Sequence, residues 1–171
     1  ETGRYLHNYA LTYALGLVAA PYHNHKQIPR YPVDLQQLNE QGIYVTPARG
    51  VDIKYELVTF KFADNKYHVK MAQTKRNVPS FGRAKEIAVG SRFEFAILSV
   101  TSIDLPRWIR MGLWQSKALV EVLTRTEPKS LSAEEHMASY PLNPLDITGQ
   151  MLIYNLISMP PSSLVDHVRG E

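Results

Sequence analysis

Cysteine is absent from the 171 residues, which removes both a disulfide framework and a thiolate metal site. That absence suits a reducing cytoplasm, where the chain is expected to work. No long apolar run occurs either. The longest uncharged stretch, Tyr5 to His25, is broken by His7, Asn8, Thr12 and Asn24, and is too polar to cross a hydrocarbon core of about 30 Å. No membrane span, secretory leader, internal repeat or low-complexity tract is expected. The chain opens at Glu1-Thr2-Gly3 without a methionine, so a trimmed start lacking a first strand is expected as well.

What is present describes a globular chain: 44% hydrophobic and 20% charged residues supply one substantial core, and a single domain over residues 1–171 is expected. The net charge of +3 is spread unevenly, because residues 1–120 carry 16 of the 19 Lys+Arg and 9 of the 16 Asp+Glu. The first part of the chain is therefore a candidate polyanion-binding body, and the acidic remainder a surface for something else.

Acid is missing altogether from Pro106 to Lys117, a segment that holds Arg107, Arg110, Lys117, Trp108 and Trp114. An amphipathic element would separate aromatics from charges; here Arg and Trp are neighbours, so both can reach one surface. Cations neutralise phosphates, while indole and guanidinium planes stack on unpaired bases, so the pairing suits a single nucleic-acid strand. The alternative assignment puts both tryptophans in the core with the cations as their rim. A second basic group, Lys61, Lys66, Lys70, Lys75, Arg76, Arg83 and Lys85, has only Asp64 among it as an acid.

The order of elements reads as mixed α and β. Apolar spacing predicts a helix from Tyr5 to Ala20 ended by Pro21, an exposed loop from Tyr22 to Tyr31, and a short helix capped by Asp34 and stopped at Gly42. Strands are predicted at Ile43–Thr46 and from Val51 to Leu57, with a change of phase near Leu57 that calls for a bulge or for cover on both faces. Tyr67–Met71 can pair back, and Ala72–Gly90 reads as a long irregular loop, of the kind that is either functional or disordered. Further strands are predicted at Phe93–Val100 and Ala118–Thr126, a helix at Ser132–Ser139, and a final buried strand at Met151–Ser158.

Two other chemistries compete with strand binding. Tyr22, His23, His25 and Lys26 could act as general base and acid on a ribose 2′-hydroxyl, since a near-neutral imidazole moves protons at pH 7. No partner carboxylate or metal set accompanies them in the sequence, and His23 with His25 alone falls short of the three or four ligands a metal site needs. His7 reads as a satisfied core or interface residue. A protein-only scaffold is the third class, with the acidic C-terminal part and the segment Tyr140-Pro141-Leu142-Asn143-Pro144-Leu145 as its docking surface.

Three segments, Tyr5-Leu6-His7-Asn8-Tyr9-Ala10-Leu11, Tyr44-Val45-Thr46-Pro47-Ala48 and Arg110-Met111-Gly112-Leu113-Trp114-Gln115-Ser116-Lys117, together resemble the Cas-five-type subunit of the type I-D CRISPR Cascade complex, the family called Csc-one. The resemblance spans the first two-thirds of the chain. It implies a repeat-associated (RAMP) protein of α+β class, with a ferredoxin-like, RNA-recognition-type antiparallel sheet and a basic thumb hairpin, and with the family's first strand preceding Glu1. A basic residue is common in the family where this chain has Leu113.

A non-catalytic role without cofactor or metal is expected, although some relatives of the Cas-five type cleave RNA; what the resemblance implies is a holding role. The subunit would hold the 5′ handle of the guide RNA beside the Cascade large subunit and the Cas-seven-type backbone subunit, where the protospacer-adjacent motif of target DNA is read. Candidate RNA-binding residues are Arg107, Trp108, Arg110, Trp114 and Lys117, then the thumb candidates Lys75, Arg76, Phe81, Arg83 and Lys85, then Tyr22, His25 and Lys26.

Overall fold

Short helices and small antiparallel sheets make up the computed structural model, an α+β architecture. It describes residues 3–19, 28, 30–61, 81–112, 116–123, 126–127, 136–160 and 162–170, with the backbone alone at 60, 61, 81, 136 and 170. In chain order the elements begin with β1 (Tyr5–Leu6), α1 (Asn8–Ala14), α2 (Tyr31–Asp34), α3 (Gln36–Glu40), β2 (Ile43–Val45) and β3 (Ala48–Asp52). Then come β4 (Tyr55–Lys61), β5 (Phe81–Ile87), β6 (Arg92–Glu94), β7 (Ile97–Ser99), β8 (Trp108–Arg110) and β9 (Lys117–Leu119). After β10 (His136–Met137), a 3₁₀ turn at Pro144–Asp146 precedes β11 (Met151–Ile157) and β12 (Leu164–Gly170). The chain divides into two compact units, Glu1–Arg4 with Gly50–Phe93, and Tyr5–Arg49 with Glu94–Glu171.

The larger unit holds the buried apolar residues Leu11, Leu15, Leu38, Val45, Ala48, Ile109, Leu164, Val165 and Val168. Its first helix is shorter than the apolar spacing predicts, for two local reasons. Tyr5 and Leu6 pair with Arg49 and Ala48 as a strand. His7 then caps the helix: its backbone is extended and its ring accepts the Tyr9 N–H at 3.2 Å. At the other end Gly16 sits at φ +72, with Gly16 N–H on the Tyr13 carbonyl and Leu17 N–H on the Thr12 carbonyl. That pair of bonds is a Schellman stop, which wants a residue without a Cβ penalty.

Gly42, at φ +65, ends α3 as expected. Asp34, however, closes α2 rather than capping the next helix, and its carboxylate instead accepts the Tyr13 hydroxyl at 2.8 Å. β2 pairs antiparallel with β7 from Ile43↔Ser99 to Val45↔Ile97. The Thr46 hydroxyl oxygen accepts the Ala96 N–H, so the predicted strand Phe93–Val100 is two strands with a break at residues 95–96.

The C-terminal sheet has the order β10–β12–β11. Met151–Ile157 is a strand as predicted, but it is neither final nor buried: β12 follows it and carries the buried Leu164, Val165 and Val168. Position decides this, because β12 is flanked on both sides whereas β11 lies at the edge and exposes Leu152, Ile153, Tyr154 and Leu156. The register slips twice, between Met151 and Ile153 and between Ile153 and Asn155. The second slip places two β12 residues opposite one on β11, and His167 takes the extra position at φ +53, the left-handed geometry of a bulge. The predicted helix Ser132–Ser139 does not extend over His136–Met137, which pair with Gly170 and Arg169 as β10.

In the smaller unit, β4 and β5 pair without a slip from Tyr55↔Ile87 to Lys61↔Phe81. No bulge sits at Leu57; the chain breaks instead at Ile53–Lys54, between β3 and β4. The predicted loop Ala72–Gly90 is corrected over Phe81–Ile87, where each residue finds a partner on β4. Residues 72–80, and the proposed pairing of Tyr67–Met71, lie outside the described residues.

Candidate nucleic-acid interface

The β8–β9 ladder decides how the Arg–Trp segment is used. Its register is Trp108↔Leu119, Ile109↔Ala118 and Arg110↔Lys117. Directly opposed residues project to the same face and successive ones alternate. One face therefore carries Trp108, Leu119, Arg110 and Lys117, and the other carries Ile109 and Ala118. Burial follows this division: Ile109 is 6% exposed, while Trp108 is 56% exposed and Arg110, Lys117 and Leu119 are exposed with it. The core assignment fails for Trp108, because Ile109 takes the inward position.

Arg107 is also exposed, and its carbonyl accepts the Val120 N–H at 2.9 Å, which extends the pairing by one step. The predicted strand Ala118–Thr126 does not go on, since residues 121–123 have no strand partner and Val122 and Leu123 are exposed. Arg110 and Lys117 place two cations across from each other. In water that costs a few tenths of a kcal/mol to about 1 kcal/mol, and an intervening phosphate would reverse the sign.

In the smaller unit the register sorts charge by face. Tyr55, Leu57 and Thr59 share a face with Ile87, Lys85 and Arg83, while Glu56 and Val58 share the other with Glu86 and Ala84. Arg83, Lys85, Thr59 and Leu57 are exposed. The Lys85 ammonium lies 4.4 Å from the centre of the Tyr55 ring, a cation–π contact across the diagonal of the ladder. A two-stranded ribbon with cations on one face and carboxylates on the other can lie along a phosphate chain in one orientation only. Phe81 pairs with Lys61 at the described end of this ribbon.

Trp114, Lys75, Arg76, Tyr22, His25 and Lys26 lie outside the described residues, as does His23. Among the described residues no group of three or more His, Asp or Glu side chains could hold a metal ion.

No sequence motif points to the polar network of the larger unit. Asp146, on the 3₁₀ turn, accepts Asn8 Nδ2–H at 2.7 Å and the Tyr44 hydroxyl at 3.1 Å on Oδ2, and the Tyr9 hydroxyl at 3.0 Å on Oδ1. Burial is the largest cause that pushes both phenols above their ordinary range, followed by the Asp146 charge, so both stay protonated donors. Asn8 Oδ1 in turn accepts from Asn143 Nδ2, whose Oδ1 accepts the Ser162 hydroxyl. Two of the segments that carry the resemblance, Tyr5–Leu11 and Tyr44–Ala48, thus meet at Asp146.

His7 ends the chain of bonds and is buried, as its reading as a satisfied core residue required. A backbone N–H can only donate, so Nδ1 accepts from Tyr9 and the proton lies on Nε2, 3.1 Å from Ser162 Oγ. Burial, opposed by the Asp146 charge and the Ser162 contact, holds this imidazole below its ordinary value of 6.5. Protonation would put two donors face to face at the start of α1. The unfolded chain takes up its proton near pH 6.5 and the folded chain only below that, so stability is full above pH 6.5 and falls as the pH drops through that value. Urea midpoints at pH 7.5, 6.5 and 5.5 are expected to decrease in that order. In His7→Asn, which keeps a capping acceptor, the decrease should be smaller.

No curated protein matches the chain. The profile of the family described as type I-D CRISPR-associated protein Cas5/Csc1 matches residues 1–171, the whole sequence. The β8–β9 face takes Arg110 and Lys117, and the Asp146 network takes Asn8, Tyr9 and Tyr44, from the segments that suggested the resemblance, and the chain belongs to this family of type I-D CRISPR Cascade subunits.

Proposed function

We propose that this subunit binds the 5′ handle of the guide RNA without cleaving it, and that it helps to sense the protospacer-adjacent motif of target DNA. The observation that carries the reading is the outward face of β8–β9, where an exposed indole stands among Arg110 and Lys117 while Ile109 fills the core side. The β4–β5 ribbon, with Arg83 and Lys85 on one exposed face, acts as the stem of the basic thumb on a ferredoxin-like RAMP sheet. The large subunit and the Cas-seven-type backbone subunit are its partners in the cytoplasm.

A titration of the purified chain with labelled guide-handle RNA at several salt concentrations tests this. Single-strand binding loses affinity with a log–log slope of about −0.7 per phosphate neutralised. Removing both cations of either pair, Arg110→Ala with Lys117→Ala or Arg83→Ala with Lys85→Ala, should make the slope shallower by about 1.4. Salt-independent or absent binding would leave a protein-only scaffold. Electrophoresis of the recovered RNA checks the other half: cleavage that disappears in His23→Ala or His25→Ala would make the chain a nuclease.

A further inference from the structure

The Asp146 carboxylate stands in a cleft of ≈ 480 Å³ in the larger unit, between α1, α2, α3, β2 and the 3₁₀ turn. Three tyrosines, Tyr9, Tyr31 and Tyr44, line it with Asp146, and Pro32, Leu35, Leu38 and Ile43 add apolar surface. The Tyr9 and Tyr31 ring centres are 4.7 Å apart and tilted by 41°. Among the described residues, no lysine or arginine lines the cleft. From this arrangement we infer that the cleft is a docking site for an arginine side chain borne on an apolar segment of a partner protein.

Charge complementarity argues for that occupant. A carboxylate offers about four acceptor positions, and three donors occupy two on Oδ2 and one on Oδ1. Oδ1 therefore keeps a position, on a group already fixed in orientation and exposed at the cleft. Pre-set geometry of this kind lowers the ordering cost of a further hydrogen bond. The aromatic faces are electron-rich, so ring and carboxylate together favour a cation. A guanidinium can stack on tyrosine and donate to Oδ1 at once, which a compact ammonium does less well. A bare metal ion needs several more oxygen or nitrogen ligands than one carboxylate with its lone pairs largely taken. Nucleic acid is disfavoured because its phosphates would approach a carboxylate that has, among the described residues lining the cleft, no cation beside it. Membership of a multi-subunit complex provides the protein surfaces from which such an arginine can come.

Two-dimensional NMR of the full chain, titrated with acetyl-arginine-methylamide, tests the inference. Saturable shifts are expected at the Asn8 side-chain amide and at the Tyr9 and Tyr44 rings, with a Kd on the order of a millimolar, as a ligand of this size permits. Acetyl-citrulline-methylamide, of the same shape without the charge, should bind about ten-fold more weakly or not at all. Asp146→Asn should abolish the shifts. Because that change also disturbs the donors around it, Tyr31→Ala serves as the second variant; it leaves every bond to Asp146 in place and should weaken the arginine probe while guide-RNA affinity stays the same. Equal binding of the citrulline probe, shifts that fall elsewhere, no shifts at all, or tighter binding of guanosine monophosphate at the same residues would each overturn the assignment.

Discussion

Trp108→Ala is expected to weaken binding of guide-handle RNA by about 1–3 kcal/mol, roughly 5- to 150-fold, the loss seen when one base loses its stacking partner. The structure makes this change unusually easy to interpret. Trp108 is 56% exposed and its strand is anchored by Ile109, 6% exposed, on the opposite face. What folding loses is the cross-strand contact with Leu119, worth a few tenths of a kcal/mol to about 1 kcal/mol. For a chain of this length that lowers the melting temperature by about 1–4 °C, so affinity and folding can be read apart. Trp108→Phe, which keeps a flat π surface, should retain most of the affinity. If the alanine variant binds RNA as tightly as the parent, no base stacks at Trp108, and Arg110 and Lys117 act on phosphates alone. The measurement must be made at fixed salt, because the cations of the same face supply a term that varies steeply with it.

How much of this could be read from the chain depends on the range of the interactions involved. The Arg–Trp neighbourhood pointed to a shared surface, and the ladder supplied what adjacency could not: which residue of Trp108-Ile109-Arg110 faces inward. Ile109, 6% exposed, is the inward residue and shares that face with its partner Ala118, and that partner is fixed by pairing at a distance along the chain. For the same reason β5 was hidden. Gly82, Arg83 and Lys85 carry no strand signal of their own, and their order comes from Phe60, Thr59 and Leu57 opposite them. Helix ends are local, and two residues in the sequence set those of the first helix inside the bounds that apolar spacing predicts: His7 as a capping acceptor and Gly16 as a left-handed stop. Met151–Ile157 shows the opposite limit. Its apolar content predicts a strand, but whether a strand is central or at an edge is a property of the sheet. The Asp146 network was out of reach, since Asn8, Tyr44 and Asp146 are far apart in sequence and no motif joins them.

Asn143 is where that network is most sensitive, and Asn143→Ala is expected to cost about 2–4 kcal/mol of folding stability. The side chain is fully buried. Its Oδ1 accepts the Leu145 N–H at 3.2 Å and the Ser162 hydroxyl at 3.3 Å, and its Nδ2 donates to Asn8 Oδ1 at 3.3 Å. The first of these bonds caps the 3₁₀ turn, a contribution of about 0.5–2 kcal/mol by analogy with helix caps. The other two leave a hydroxyl and an amide oxygen without their partner, and a buried orphan costs about 1–3 kcal/mol unless water replaces the bond. The long bonds keep the sum toward the lower part of these ranges, and the expected fall in melting temperature is about 5–15 °C. An unchanged midpoint in thermal or urea unfolding would mean that water enters and satisfies all three groups, and that the network is not a structural hub. The consequence for binding differs between the two kinds of surface. Asn8 orients Asp146 at 2.7 Å, so loosening Asn143 should weaken the arginine probe even at temperatures where the variant remains folded. The outward face of β8–β9 shares no hydrogen bond with Asn143, so guide-RNA affinity at those temperatures should be that of the parent chain.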